Sequence, residues 1–485
     1  MQPTNLLFLC SDEHQAAATG YSGNPIVQTP HLDRLAGRGA RFDNAYTNCP
    51  ICVPCRGSLA TGRYVHDIRL WDNAFPYTGS HPAWGHRLQA QGYRADSIGK
   101  LHYRRAEDDD GFNEKIDAMY VAEGIGELIS CIRENPPLRK GRNGILHAGP
   151  GESSYLRYDA RIADRAEGWL VEHAQDEQPW ALFVSFVNPH PPFIAPQELF
   201  DLYPVQEMPL PVDWEEGDWP PHPALERMRR YFGWEEPFSA DAIRQATATY
   251  YAQCTYVDQK IGQVLTALET NGLTENTRII YTSDHGAMLG ARGLWGKFTL
   301  YDDSCRVPLI VAGPDVPADK AVQTPVSLVD CFPSVLEAMG IEPEPEDTTL
   351  PGESLWRIAG EPTRERVVFS EYHAAGSRHG AFMVCDSHAK YVHYHHEPPH
   401  LFDLDNDPQE RVNLADSPAH QSLRRKMESH LQAIVDVDAA DRLAKADQAA
   451  KLVEWGGRGG CPAPGAEQFG HSRRKAPFSA GSTVE

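Results

Sequence analysis

A chain of 485 residues, 41% hydrophobic and 23% charged, can build a large core, which excludes a small stapled scaffold and an intrinsically disordered chain. Lys plus Arg total 45 against 67 Asp plus Glu, a formal net charge of −22, which excludes nonspecific binding to nucleic acid or to an anionic membrane. No apolar run reaches bilayer-spanning length; the stretch from Val307 to Val311 is interrupted by Pro308. The opening MQPTNLLFLCSDEHQ has no basic n-region, and ten cysteines, mostly scattered singly, form no disulfide framework, so the expected compartment is the cytoplasm.

In chain order, residues 5–10 (NLLFLC) form an apolar run that ends abruptly in Ser11, Asp12, Glu13 and His14, as a buried strand delivering polar groups at its C-terminal end does. Similar strands are expected at 181–187 (ALFVSFV, then Asn188, Pro189 and His190) and 278–282 (RIIYT, then Ser283, Asp284 and His285). Helical patterns at 159–174 and 241–270 lie between them. This alternation predicts an α/β fold with a large, mostly parallel sheet flanked by helices over residues 1–360, and open sheets of that kind place their sites at strand C-termini. Past residue 360, VVFSEY, AFMVCD, KYVHYH and HLFDLD are closely spaced, which predicts an antiparallel sheet in a smaller α+β subdomain over 361–435, with a helix from about Ser417 to Val435. Residues 436–485, ending in GGRGG, CPAPG and SRRK, read as a tail or oligomerisation arm. There is no internal repeat.

The segment CPICVPCRGSLATGR, residues 49–63, carries the most chemical information. Cys49, Cys52 and Cys55 are spaced as metal thiolates, but a closed zinc site needs further ligands at matching spacing and no second pair exists; a thioredoxin-like redox pair lacks its strand and helix context. In the register Cys52-Val53-Pro54-Cys55-Arg56 the segment resembles the Cys-x-Pro-x-Arg signature of the sulfatase family, within the alkaline phosphatase superfamily. The resemblance extends to GSLATGR, to Gly99-Lys100-Leu101-His102, to Asn188-Pro189-His190, to Ser283-Asp284-His285-Gly286, to Lys297, and to residues 390–414, which look like the family's C-terminal subdomain. Cys55 stands where the commonest signature has Ser or Ala. Glu13 follows Asp12 where many relatives have a second aspartate, and His285 follows Asp284 where they have Asn.

The resemblance implies an alkaline phosphatase-like fold and hydrolysis of a sulfate monoester, with Cys52 oxidised to formylglycine by a formylglycine-generating enzyme. The hydrated aldehyde supplies one hydroxyl to attack sulfur and another to expel sulfate, a step that a plain cysteine cannot perform. Asp12, Asp284 and His285 at two strand ends, with the Cys52-derived oxygen and Glu13 as a weaker candidate, make an oxygen-rich set that suits Ca2+ first; the imidazole brings in Mn2+ second. Read without the resemblance, Asp284 and His285 would only cap a helix. Arg56 is placed beside the modified residue. Lys100 and His102, two apart, would share a face of a strand, with His102 as a base; His190 and Lys297 are carried over as groups that hold sulfate and protonate the leaving oxygen. Phosphonate monoester hydrolases, the runner-up on the same scaffold, have Tyr-x-Thr in place of the Lys-x-His pair. Asn73 in LWDNA falls where choline sulfatases and arylsulfatases have a substrate-contacting asparagine. Trp71, Tyr103, Glu371 and Tyr372 are candidates for a quaternary ammonium, and His373 and Arg378 for an anionic sugar. The expected partners are a small-molecule or sugar sulfate ester, the maturation enzyme and a second copy of the chain, as a homodimer or homotetramer, with no nucleic acid and no membrane.

Overall fold

The computed structural model describes residues 3–457. Eight strands form the main sheet: β1 (Asn5–Asp12), β2 (Gly39–Phe42), β3 (Arg94–Lys100), β4 (Glu114–Met119), β5 (Trp180–Pro189), β6 (Thr277–Ser283), β7 (Leu309–Ala312) and β8 (Lys320–Val322). Their order is β8-β2-β7-β6-β1-β5-β3-β4. Only β7 runs against its neighbours. β1 lies at the centre, in parallel register with β5 (Leu7 opposite Leu182) and with β6 (Leu7 opposite Ile279).

β1 reads as a continuous apolar run because both of its faces are covered. Leu6, Phe8 and Cys10 face a core shared with Leu59 and Ala60 of α1 (Cys52–Thr61) and with Trp84 and Leu336. Leu7 and Leu9 face a second core built by Ile162, Ala166 and Trp169 of α2 (Ser154–Glu172) and by Val257, Ile261 and Leu265 of α3 (Ala240–Thr270). The two expected helical patterns are thus α2 and α3, started by serine caps: Ser153 Oγ accepts from Leu156 N–H at 3.1 Å and Ser239 Oγ from Ala242 N–H at 3.2 Å. No helix of the described residues is long and apolar enough to cross a membrane.

A second sheet is antiparallel and follows chain order: β9 (Val368–Tyr372), β10 (Ala381–Cys385), β11 (Ala389–Tyr394) and β12 (His400–Asp403). One face packs on Met427 and Leu431 of α4 (Gln421–Ile434), and the other on Tyr46, Leu300 and Cys305 of the large domain. This sheet is pinned to the large domain by a buried ion pair. His66, in the short helix Val65–Ile68, donates its backbone N–H and presents Nδ1 to Glu371 Oε1 at 2.9 and 2.8 Å, while His373 Nε2 lies 2.8 Å from Oε2.

One expectation is corrected. The tail or arm expected over residues 436–485 begins instead with α5 (Val437–Glu454), a capped helix docked on the large domain; the remainder from 458 on lies outside the described residues. Gln448, fully buried, explains the docking. Its Nε2 donates to Asp72 Oδ2 at 2.6 Å and to the His373 carbonyl at 2.8 Å, and its Oε1 accepts from Arg133 Nε at 2.7 Å. Asp447 receives Trp71 Nε1–H at 2.7 Å and Arg69 Nε–H at 2.8 Å. The helix was missed because its exposed side chains dominate its pattern and its main buried contact is a polar one.

Two predictions follow from these contacts. Gln448→Leu strands buried partners on three segments and should lower stability by about 3 kcal/mol, read as a shift in the denaturation midpoint. In the folded protein Glu371 outweighs burial and raises His66 to about 9, and Glu371 itself, against burial, is lowered to about 2 by His66 and His373. The stabilisation from His66 is therefore complete below its unfolded value of 6.5 and is lost as pH rises through 9; that from Glu371 is complete above 4.5 and is lost as pH falls through 2. Wild-type Tm should decline between pH 6.5 and 9 by more than that of His66→Gln, and parallel curves would contradict this.

Candidate active site

The C-terminal ends of β1, β5, β6 and β3 converge with the first turn of α1. The hub is Arg56, one turn into α1, whose guanidinium is 3% exposed. Its Nε donates to Asp284 Oδ2 at 2.8 Å, its Nη1 to the Lys100 carbonyl at 2.8 Å and to Ser185 Oγ at 2.9 Å, and its Nη2 to Asp12 Oδ2 at 3.3 Å. Lys100 Nζ also pairs with Asp12 Oδ2. Burial favours a neutral Asp12, but the Lys100 charge, with His190 and Lys297 behind it, holds that carboxyl well below its usual range.

Cys52 opens α1, and its Sγ stands 3.2 Å from His285 Nε2, 3.3 Å from Lys297 Nζ and 3.7 Å from Asp12 Oδ1. Burial, then the Asp12 charge, pushes the thiol up to about 12, so an unmodified Cys52 is an inert thiol at neutral pH. Asp12, Cys52, Asp284 and His285 each present one ligand atom within 4.8 Å of the others. His285 Nδ1 lies 3.1 Å from the Gly286 carbonyl, which assigns its proton there and leaves the Nε2 lone pair facing Asp12 Oδ1 (3.7 Å) and Asp284 Oδ1 (3.5 Å). Two carboxylate oxygens and an imidazole lone pair converge as acceptors, the donor set of a divalent cation. No helix begins at Asp284, so it caps none.

Glu13 is not in that four-residue group. Its backbone is left-handed (φ +65°), its N–H donates to Asp284 Oδ1 at 3.2 Å, and its side chain turns away to accept from Lys297 Nζ at 2.9 Å, with His190 Nε2 at 3.7 Å. Asp12, Glu13 and His190 form a second, smaller cluster, and Glu13 Oε1 is buried with no partner. Burial favours a neutral Lys297, but the carboxylates around it, Glu13 first and then Asp12 and Asp284, hold its ammonium above its usual range. Burial, and then Lys297, hold His190 well below its own.

The expectation that Lys100 and His102 share a strand face is not met. β3 ends at Lys100, and His102 follows in a turn with φ +57°; its ring still lies in the field of the site, with burial, then Lys100 and Arg56, holding it neutral. Cys49 and Cys55 do not converge with Cys52: Cys55 Sγ donates to the Asp284 carbonyl at 2.9 Å, and the nine cysteines among the described residues are all free. Asn73 Oδ1 accepts from Val53 N–H at 3.3 Å, capping the turn that carries Cys52. The residues named for a quaternary ammonium are engaged elsewhere: Glu371 by two histidines, Trp71 by Asp447, Tyr372 by the Ala375 carbonyl at 2.7 Å, and Tyr103 packed edge-on against Tyr77. His373 is held by Glu371, and Arg378 by Glu134.

Ser185 and Tyr155 were missed. Ser185 is the lone polar residue inside ALFVSFV, a legible signal of an inward polar contact. Tyr155, on the first turn of α2, stands against the His190 ring, and nothing in its local sequence marks it.

Residues 4–341 match the family Sulfatase, and residues 290–436 match N-sulphoglucosamine sulphohydrolase, C-terminal. The chain is 30% identical to a choline-sulfatase of Rhizobium meliloti (strain 1021), over 93% of its own length and 90% of that protein's. It is 27% identical to human arylsulfatase K, over 85% and 78%. Among solved structures, the phosphonate monoester hydrolase of Agrobacterium radiobacter superposes with a TM-score of 0.73 at 23% identity, covering 89% of this chain and 95% of that one. A protein solved with its substrate D-glucosamine-2-N,6-O-disulfate superposes with a TM-score of 0.71 at 20% identity, covering 92% and 99%. The chain belongs to the sulfatase family and is a sulfuric ester hydrolase.

Proposed function

We propose that the chain hydrolyses a small-molecule or sugar sulfate monoester through Cys52 matured to formylglycine, with a divalent cation held by Asp12, Asp284, His285 and the Cys52-derived oxygen. The observation that carries this reading is the position of Cys52 Sγ, 3.2 Å from the His285 lone pair and 3.3 Å from the Lys297 ammonium at the meeting of two strand-end carboxylates. When bound, the cation, Ca2+ first and Mn2+ second, supplies charge for the sulfate oxygens, and formylglycine supplies the nucleophilic oxygen.

The chain's own residues supply the rest. Arg56 and Lys100 fix the orientation of both carboxylates. Lys297, kept charged by its ion pair with Glu13 at 2.9 Å, faces the negative charge that develops on the leaving oxygen. His190 Nδ1 lies 2.7 Å from the Pro191 carbonyl, so its proton sits there, and Nε2, 3.7 Å from Glu13 Oε2, must take up a second proton before it donates to a sulfate oxygen. His102, held neutral, is placed as a base. All ten residues of α1 are buried, so a formylglycine-generating enzyme would meet the signature before α1 packs.

The phosphonate monoester reading stays second because Lys100 is ion-paired to Asp12 where those enzymes have tyrosine. On one metal-replete preparation with Cys52 conversion verified by peptide mass, kcat/KM for an aryl sulfate should exceed that for an aryl phosphonate monoester; the reverse ratio would put the second reading first. Asp284→Asn should abolish stoichiometric metal in elemental analysis, and retained metal would move the site elsewhere.

A further inference from the structure

His190 and Lys297 are the groups assigned to the sulfate and the leaving oxygen, so a side chain packed on them borders the leaving group. Tyr155 packs on His190. Tyr155 sits on the first turn of α2, held by the Ser153 cap and by Tyr256, whose hydroxyl donates to the Leu156 carbonyl at 2.5 Å. Its ring meets the His190 ring at 6.2 Å between centroids and 68° between planes. Tyr155 is half-buried, and its hydroxyl makes no hydrogen bond with another of the described residues. The contrast with its neighbours is specific: Tyr158, three residues on, donates to the Asp117 carbonyl at 2.6 Å, and Tyr250 to the Glu13 carbonyl at 2.6 Å. Burial raises the Tyr155 phenol, while Lys100 and then Lys297 draw it down against Asp12, which agrees with a position in the field of the same chamber.

We propose that Tyr155 is a specificity-determining residue for a cyclic leaving group. Its ring is the wall against which an aryl or pyranose ring packs, and its hydroxyl bonds a ring substituent near the ester oxygen. This rests on the sulfate ester reading. The charges around the site favour that class over a quaternary ammonium. Asp12, Glu13 and Asp284 are balanced by Arg56, Lys100 and Lys297, a bound divalent cation adds positive charge, and Glu371 is committed to His66 and His373. No carboxylate of this set is left to neutralise an ammonium.

The test uses holoenzyme with Cys52 conversion verified, and compares wild type, Tyr155→Phe and Tyr155→Ala on 4-nitrophenyl sulfate, glucose 6-sulfate and choline sulfate. Tyr155→Ala should raise KM for the two cyclic sulfates about tenfold or more and change it less than about twofold for choline sulfate, with kcat little altered. Tyr155→Phe should restore KM for the aryl sulfate but not for the pyranose sulfate. Inhibition by inorganic sulfate should be the same in all three proteins. Equal losses on all three substrates, or no change in KM, would overturn the assignment while wild-type turnover upheld the parent reading. A converted, metal-replete wild type that cleaves none of the three esters would overturn both.

Discussion

Arg56 holds the site together. Two carboxylates on adjacent strand ends, Asp12 and Asp284, are buried without exposure, and each would be driven neutral or pushed apart if it stood alone. One planar guanidinium reaches both, and its remaining donors go to the Lys100 carbonyl and Ser185. A lysine could not make that set of contacts, because its donors radiate from a single point. With Lys100 on Asp12 and Lys297 on Glu13, three cations meet three anions, and the acceptors around His285 form a group that could hold a metal ion.

The sheet explains why those groups meet. β1 is central and parallel to both neighbours, so the chain leaves β1, β5 and β6 at one edge, and polar residues just past three apolar runs arrive together. α1 then brings Cys52 to that edge by its first turn, with Val53 N–H tied to Asn73. The strands are anchored in the two cores on opposite faces of the sheet, and the segment of Lys297 in a third, through Trp295 and Phe298.

The second sheet and α5 act on the same region from behind. Glu371 ties β9 to His66, and Gln448 joins Asp72, the His373 carbonyl and Arg133, which belong to three segments far apart in sequence. Asp72 precedes Asn73, so the last described helix buttresses the loop that caps the turn carrying Cys52.

Much of this was legible in the sequence. Apolar runs ending in Asp12, His190 and Asp284 determined strand ends with polar groups, since a doubly covered strand has no other place for them, and the Cys52-Val53-Pro54-Cys55-Arg56 register singled out one cysteine of three. Local pattern could not decide the rest, because it depends on contacts between distant segments. The left-handed backbone at Glu13 turns its carboxylate from the metal group towards Lys297, and the end of β3 at Lys100 takes His102 off the strand face. Glu371 meets two histidines instead of a ligand, and Gln448 makes a helix out of an apparent tail. Periodicity reports which side of an element is apolar. It says nothing of which buried charge finds which partner, and that pairing is decided only when the strands and helices are packed.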